Sequence, residues 1–240
     1  MSDEIACLRS LLGDSYPKAL DTLSDEELAG LAPLIRLREY APKTFDNCFK
    51  ECLMVMEDAY QRDEERVKSA YREYSDLFSE ISSAIRSIEG TLSQLDESID
   101  LRLGKYATIY ENLCVRVYSV LLSFLMRCLG LIDQGGGVYG SVQAVHKAVA
   151  MLKERKDVKE ILDSFDGFLL NVFADGFYYT WIGLITLIGK DPAIGRAKKR
   201  RVEEGYIEDR LMRLLACSVS MILSLTVFYL VRVRANPSTG

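Results

Sequence analysis

Six cysteines, a single histidine and two glycine-rich stretches are the groups with which this chain of 240 residues could do chemistry. Cys7, Cys48, Cys52, Cys114, Cys128 and Cys217 are scattered, without the spacing of a disulfide framework. Cys48 and Cys52 fall one turn apart on a helix, but two thiols with no further Cys or His beside them make an incomplete zinc set. Reduced, buried thiols are the expectation. His146 stands beside Lys147, with no serine or cysteine nucleophile at a triad-like spacing, so a surface or hydrogen-bonded structural role is expected. No Glu-x-x-His pair occurs, which excludes a di-iron bundle. Gly135-Gly136-Gly137 lacks the downstream Gly-Lys-Ser/Thr of a phosphate cradle. Gly183 to Asp191, GLITLIGKD, has five residues between its glycines and an aspartate after the lysine, where a phosphate-binding loop has four and then Ser or Thr. The chain therefore reads as a non-enzyme, with no catalytic residue, no cofactor, no metal site and no small-molecule substrate.

With chemistry set aside, the strongest pattern is architectural. Val67, Tyr71, Tyr74, Phe78, Ile81, Ile85, Ile88, Leu92, Leu95 and Ile99 alternate at four- and three-residue steps. An α-helix gathers such positions on one face, which must be buried against other helices, while the Ser, Glu, Asp, Arg and Lys between them face water. A dimeric zipper prefers Leu, Ile or Val where this seam carries Tyr71, Tyr74 and Phe78, so the central helix of an intramolecular bundle is the better fit, with self-association the alternative. A helix running from Thr44 to Leu103 would be a rod of about 90 Å, too long for a compact chain of this size. A break is expected within Glu57 to Lys68 or near Tyr74-Ser75-Asp76.

The fold class expected is all-α: a multi-helix bundle with a long central heptad-patterned helix and a C-terminal apolar helix. Residues 1–42 read as an arm of short helices, with a capping box at Ser24-Asp25-Glu26-Glu27 and an interruption at Pro33. Residues 43–189 read as the bundle and 190–240 as a basic linker followed by the apolar helix. Gly104 is expected to close the seam helix. A very apolar helix follows from Tyr106 to Gly130, then helices near Ser141 to Lys153 and Val158 to Phe173. No run of alternating β-branched residues with a hairpin turn stands out, so no strands are expected.

Net charge is −5, but it is unevenly placed: residues 1–100 hold 22 Asp and Glu against 11 Lys and Arg, and the remainder 13 against 19. An acidic first half argues against nucleic acid, and a basic second half suits an anionic membrane surface. The acidic opening Met1-Ser2-Asp3-Glu4 is unlike a secretory signal, so a cytosol-facing, non-secreted protein is expected.

Tyr74 to Tyr110, YSDLFSEISSAIRSIEGTLSQLDESIDLRLGKYATIY, together with Leu113 to Ile132, LCVRVYSVLLSFLMRCLGLI, resembles the fungal STAND N-terminal domain family called Goodbye. The similarity, over about residues 40–165, lies in a heptad-like helix, a polar turn and a second, very apolar helix. It implies a helical signalling or adaptor module with a protein partner, of the kind placed ahead of a nucleotide-binding domain in immune-receptor-like proteins. This chain departs from that plan, because apolar sequence stands where the nucleotide-binding domain belongs.

That apolar sequence includes Leu214 to Val231, eighteen residues without a charge between Arg213 and Arg232. Leu214, Leu215, Val219, Ile222, Leu223, Leu225, Val227, Phe228 and Leu230 are its candidate membrane positions, and the length meets the lower limit for a span. A C-terminal tail anchor and a fully buried core helix both fit. Upstream, Arg196, Lys198, Lys199, Arg200 and Arg201 form a basic cluster suited to anionic lipid headgroups on the cytosolic side, or to a solvated linker. Gly176 to Gly189 is uncharged but short, and reads as a buried or interface-lying helix with Tyr178, Tyr179 and Trp181 as core rings or headgroup-level anchors. A membrane-perturbing cell-death effector is the sharper variant of the membrane role; a soluble oligomerising bundle is its rival.

Overall fold

The computed structural model describes residues 2–12, 23–94, 98–181 and 183–234. It is an all-α multi-helix fold, as expected, carrying one small sheet that the sequence pattern did not announce. The helices are α1 (Ser2–Leu12), α2 (Asp25–Arg36), α3 (Pro42–Arg62), α4 (Glu64–Leu92), α5 (Ile99–Asn112), α6 (Ser119–Cys128), α7 (Val142–Leu152), α8 (Lys159–Asp163), α9 (Gly167–Asp175) and α10 (Glu204–Phe228). A π-helical turn, Leu113–Tyr118, joins α5 to α6, and another, Tyr229–Val233, prolongs α10.

The long rod breaks at Asp63, inside the first of the two expected places. Its backbone leaves helical angles, its N–H closes α3 on Ala59, and its carboxylate accepts from the N–H of Arg66 to cap α4. The seam then holds from Val67 to Leu92: Val67, Tyr71, Tyr74, Ile81, Ile85 and Ile88 are buried, and Phe78 and Leu92 are half-buried against the core. Leu95 lies outside the described residues, and Ile99 starts α5 on the far side of a break. Gly104 does not close a helix; it lies within α5, where a helical glycine costs only about 1 kcal/mol. Pro33 likewise sits inside α2, and the Ser24–Glu27 capping box is formed, with bonds of 2.8 and 3.3 Å. Val158 to Phe173 is not one helix but a 3₁₀ turn followed by α8 and α9, with Asp166 starting α9.

α10 is the axis of the molecule. Its residues from Leu214 to Phe228 are buried except Ile222 and Thr226, and it packs most extensively on α3. Small side chains permit close approach there: Ser224 Oγ lies 3.0 Å from the Phe49 carbonyl of α3 and 2.7 Å from that of Ser220 in its own helix. Ile99–Cys128 and Glu204–Val233 are both long and apolar enough to cross a membrane, yet 78% of each apolar window is buried inside the bundle. A helix apolar on every side satisfies either environment.

Candidate functional site

Cys48, Cys52, Cys114, Cys128 and Cys217 are buried, and burial pushes the thiols of Cys52, Cys114, Cys128 and Cys217 up, away from the reactive thiolate. His146 Nε2 is 2.7 Å from Asn171 Oδ1, an orienting contact within the fold. Among the described residues no group of three His, Cys, Asp or Glu could hold a metal ion.

The sheet gathers what the sequence left scattered. β1 (Phe177–Trp181), β2 (Leu184–Lys190) and β3 (Ala197–Val202) pair antiparallel in that order. β1 and β2 therefore form an antiparallel hairpin, with Gly183 at φ +73° just before β2, in place of the helix expected over Gly176 to Gly189. The basic stretch is not a linker but β3, an edge strand. Gly176 and Gly189 let the hairpin lie against α9, since a Cβ on either would come within 2.8 Å of Val172.

Strand alternation divides the basic cluster between two faces. Lys198 and Arg200 point toward the bundle. Arg200 Nη1 donates to Tyr206 Oη at 2.6 Å and Asp166 Oδ2 at 3.2 Å, while the Tyr206 hydroxyl donates to Asp166 Oδ2 at 2.5 Å. The guanidinium also lies 4.8 Å from the centre of the Phe168 ring. Burial, then the adjacent Asp166, push the Tyr206 hydroxyl up. Lys198 Nζ pairs with Asp191 at 2.5 Å and holds that carboxyl below its ordinary range.

The opposite face turns outward. Its cross-strand rows are Phe177–Ile188–Lys199 and Tyr179–Thr186–Arg201, with Trp181 opposite Leu184. Trp181 is 70% exposed, Phe177 61% and Leu184 41%, a concentration of large apolar side chains on one surface. Lys199 and Arg201 are exposed beside them, and the β2–β3 turn adds Arg196 and Ile194, the latter 65% exposed. Hydrogen bonding to Thr186 and Lys199, with Arg201 nearby, lowers the Tyr179 hydroxyl. Arg196, Lys199 and Arg201 are thus the part of the predicted cluster available to an anionic surface, together with Phe177, Leu184 and Ile194, which the sequence pattern did not single out.

The nine candidate membrane positions fare differently. Leu214, Leu215, Val219, Leu223, Leu225, Val227 and Phe228 are buried, and Ile222 and Leu230 half-buried, so in this fold α10 offers no free apolar cylinder to lipid. No family model, curated protein or solved structure matches the chain.

Proposed function

We propose that the protein is a non-enzymatic helical interaction or signalling module that docks peripherally on anionic membranes through the outer face of its sheet. The observation carrying this is the shared surface of Trp181, Phe177 and Leu184 with Lys199 and Arg201. Aromatic rings settle at headgroup depth, and each nearby Lys or Arg adds about 1 kcal/mol at an anionic bilayer. Single-stranded nucleic acid also uses aromatic, basic sheets, and retention on an oligonucleotide is therefore one arm of the test. The signalling part of the proposal rests on the Goodbye-like pattern, and a protein partner belongs with it.

Flotation on vesicles with and without phosphatidylserine tests the docking face. The full chain should float with anionic vesicles and be released by high salt; Lys199→Glu with Arg201→Glu should weaken partition about tenfold or more. Equal flotation of wild type and variant, or binding to neutral vesicles alone, removes the proposal, and retention by a single-stranded oligonucleotide instead assigns the face to nucleic acid.

A second reading has its own observation: two membrane-length apolar helices enclosed by amphipathic ones. In it the bundle opens and α10 enters the bilayer as an anchor or a perturbing element. Resistance to carbonate extraction and dye release from the same vesicles report that step, and intact vesicles at saturating binding eliminate the effector form.

A further inference from the structure

Between Leu214 and Phe228 only Ile222 and Thr226 of α10 are less than fully buried, and both line a groove of about 790 Å³ shared with α4. Tyr71 and Phe78 line it from α4; Ile222, Leu225, Tyr229 and Val233 line it from α10 and its π-helical extension. That volume lies within the range of small-molecule pockets, and π turns recur at functional sites. The walls are tied together at one end. The Tyr71 hydroxyl donates to the Leu225 carbonyl at 2.8 Å, and its ring lies 5.2 Å from Tyr229.

The groove is chemically polarised. Lys68 and Arg72 line it one turn apart, around Tyr71, while Phe78 and Ser82 lie two to three turns further along α4. Lys68 Nζ is 2.6 Å from Glu64, and Arg72 meets Glu65 only at 3.9 Å, with both of those side chains 73% exposed. An arriving anion exchanges with carboxylates that already face water. A mainly apolar groove that also carries Lys68 and Arg72 suits a single-chain amphipath with an anionic head.

We infer that this groove is a binding site for a single-chain anionic amphipath, its acyl chain along Phe78 and Ile222 and its head at Arg72 and Lys68. The site is separate from the sheet face, so it stands or falls independently of membrane docking.

Titration of the full chain with cis-parinaric acid below micellar concentration tests the inference. Saturable one-site binding is expected, displaced by palmitate or by lysophosphatidate; which competes better separates a carboxylate from a phosphate head. Thr226→Trp fills the groove and should abolish binding. Arg72→Glu, on an exposed side chain that keeps the fold whatever Thr226→Trp does, should weaken palmitate about tenfold while leaving methyl palmitate unchanged, and Trp181→Ala should leave both unchanged. Absence of saturable binding, wild-type affinity in folded Thr226→Trp, or an equal loss for acid and ester in Arg72→Glu overturns it. So does a dimer that Thr226→Trp dissociates in a chain that binds no fatty acid, because the groove then belongs to a second copy.

Discussion

Replacing Phe124 by alanine should remove about 3–5 kcal/mol of stability, read as a lower urea midpoint in circular dichroism. Phe124 is fully buried on α6, and three seam residues converge on it: Tyr71 at 4.9 Å between ring centres, Phe78 at 5.4 Å and Tyr74 at 5.6 Å, all edge-on. Such pairs add about 0.5–1.5 kcal/mol each beyond the area they bury. The Tyr74 hydroxyl is 2.8 Å from Ser123 Oγ, and that oxygen accepts from the Val138 N–H, so the same locus pins the glycine-rich loop. Tyr74→Phe should therefore cost only about 1 kcal/mol. If Phe124→Ala unfolds at the wild-type midpoint and instead changes self-association, α4 is a zipper between chains and its seam does not belong to an internal core.

Asp166→Ala should cost about 3 kcal/mol and release the sheet from the bundle. One carboxylate, 12% exposed, accepts the N–H groups of Phe168 and Leu169 at 3.0 Å, the Tyr206 hydroxyl and the Arg200 guanidinium. Its loss removes the cap of α9 and strands a largely covered cation. Arg200 is 32% exposed, so water recovers part of that energy. Amide exchange should accelerate across β2 and β3, and anionic vesicle binding should fall although Lys199 and Arg201 are untouched. Asp166→Asn retains a capping oxygen and should sit between the two. Unchanged exchange in β3 would show that Gly176, Gly189 and the apolar inner face hold the sheet without this network.

The seam helix was readable because one side of it is wet. The 4–3 spacing from Val67 to Leu92 survives into buried contacts since the intervening positions carry charge. The hairpin offered no such contrast. Tyr178 and Leu187 point inward, Phe177 and Ile188 outward, and both faces are apolar, so the two-residue period of a strand vanishes. β3 hid for the mirror reason: cations occupy both faces, Arg200 inward and Lys199 outward, which a charge run cannot resolve. Leu214 to Val231 satisfied two environments at once, because a helix enclosed by protein and one enclosed by lipid need the same composition. The groove between α4 and α10 belongs to tertiary placement, joining residues more than a hundred positions apart.

Packing α10, with its long apolar window, on the much earlier α3 has a consequence for biosynthesis. α3, the main wall against which α10 packs, is translated long before Glu204–Val233, and at cellular elongation rates the delay is on the order of ten seconds. Throughout that interval the part of α3 that meets α10, at Phe49 and Cys52, lacks its partner. When α10 emerges, its apolar window, of mean hydropathy 2.3, stays uncovered until it reaches α3. The speed with which α3 captures α10 therefore sets how long that apolar window stays open to other apolar surfaces.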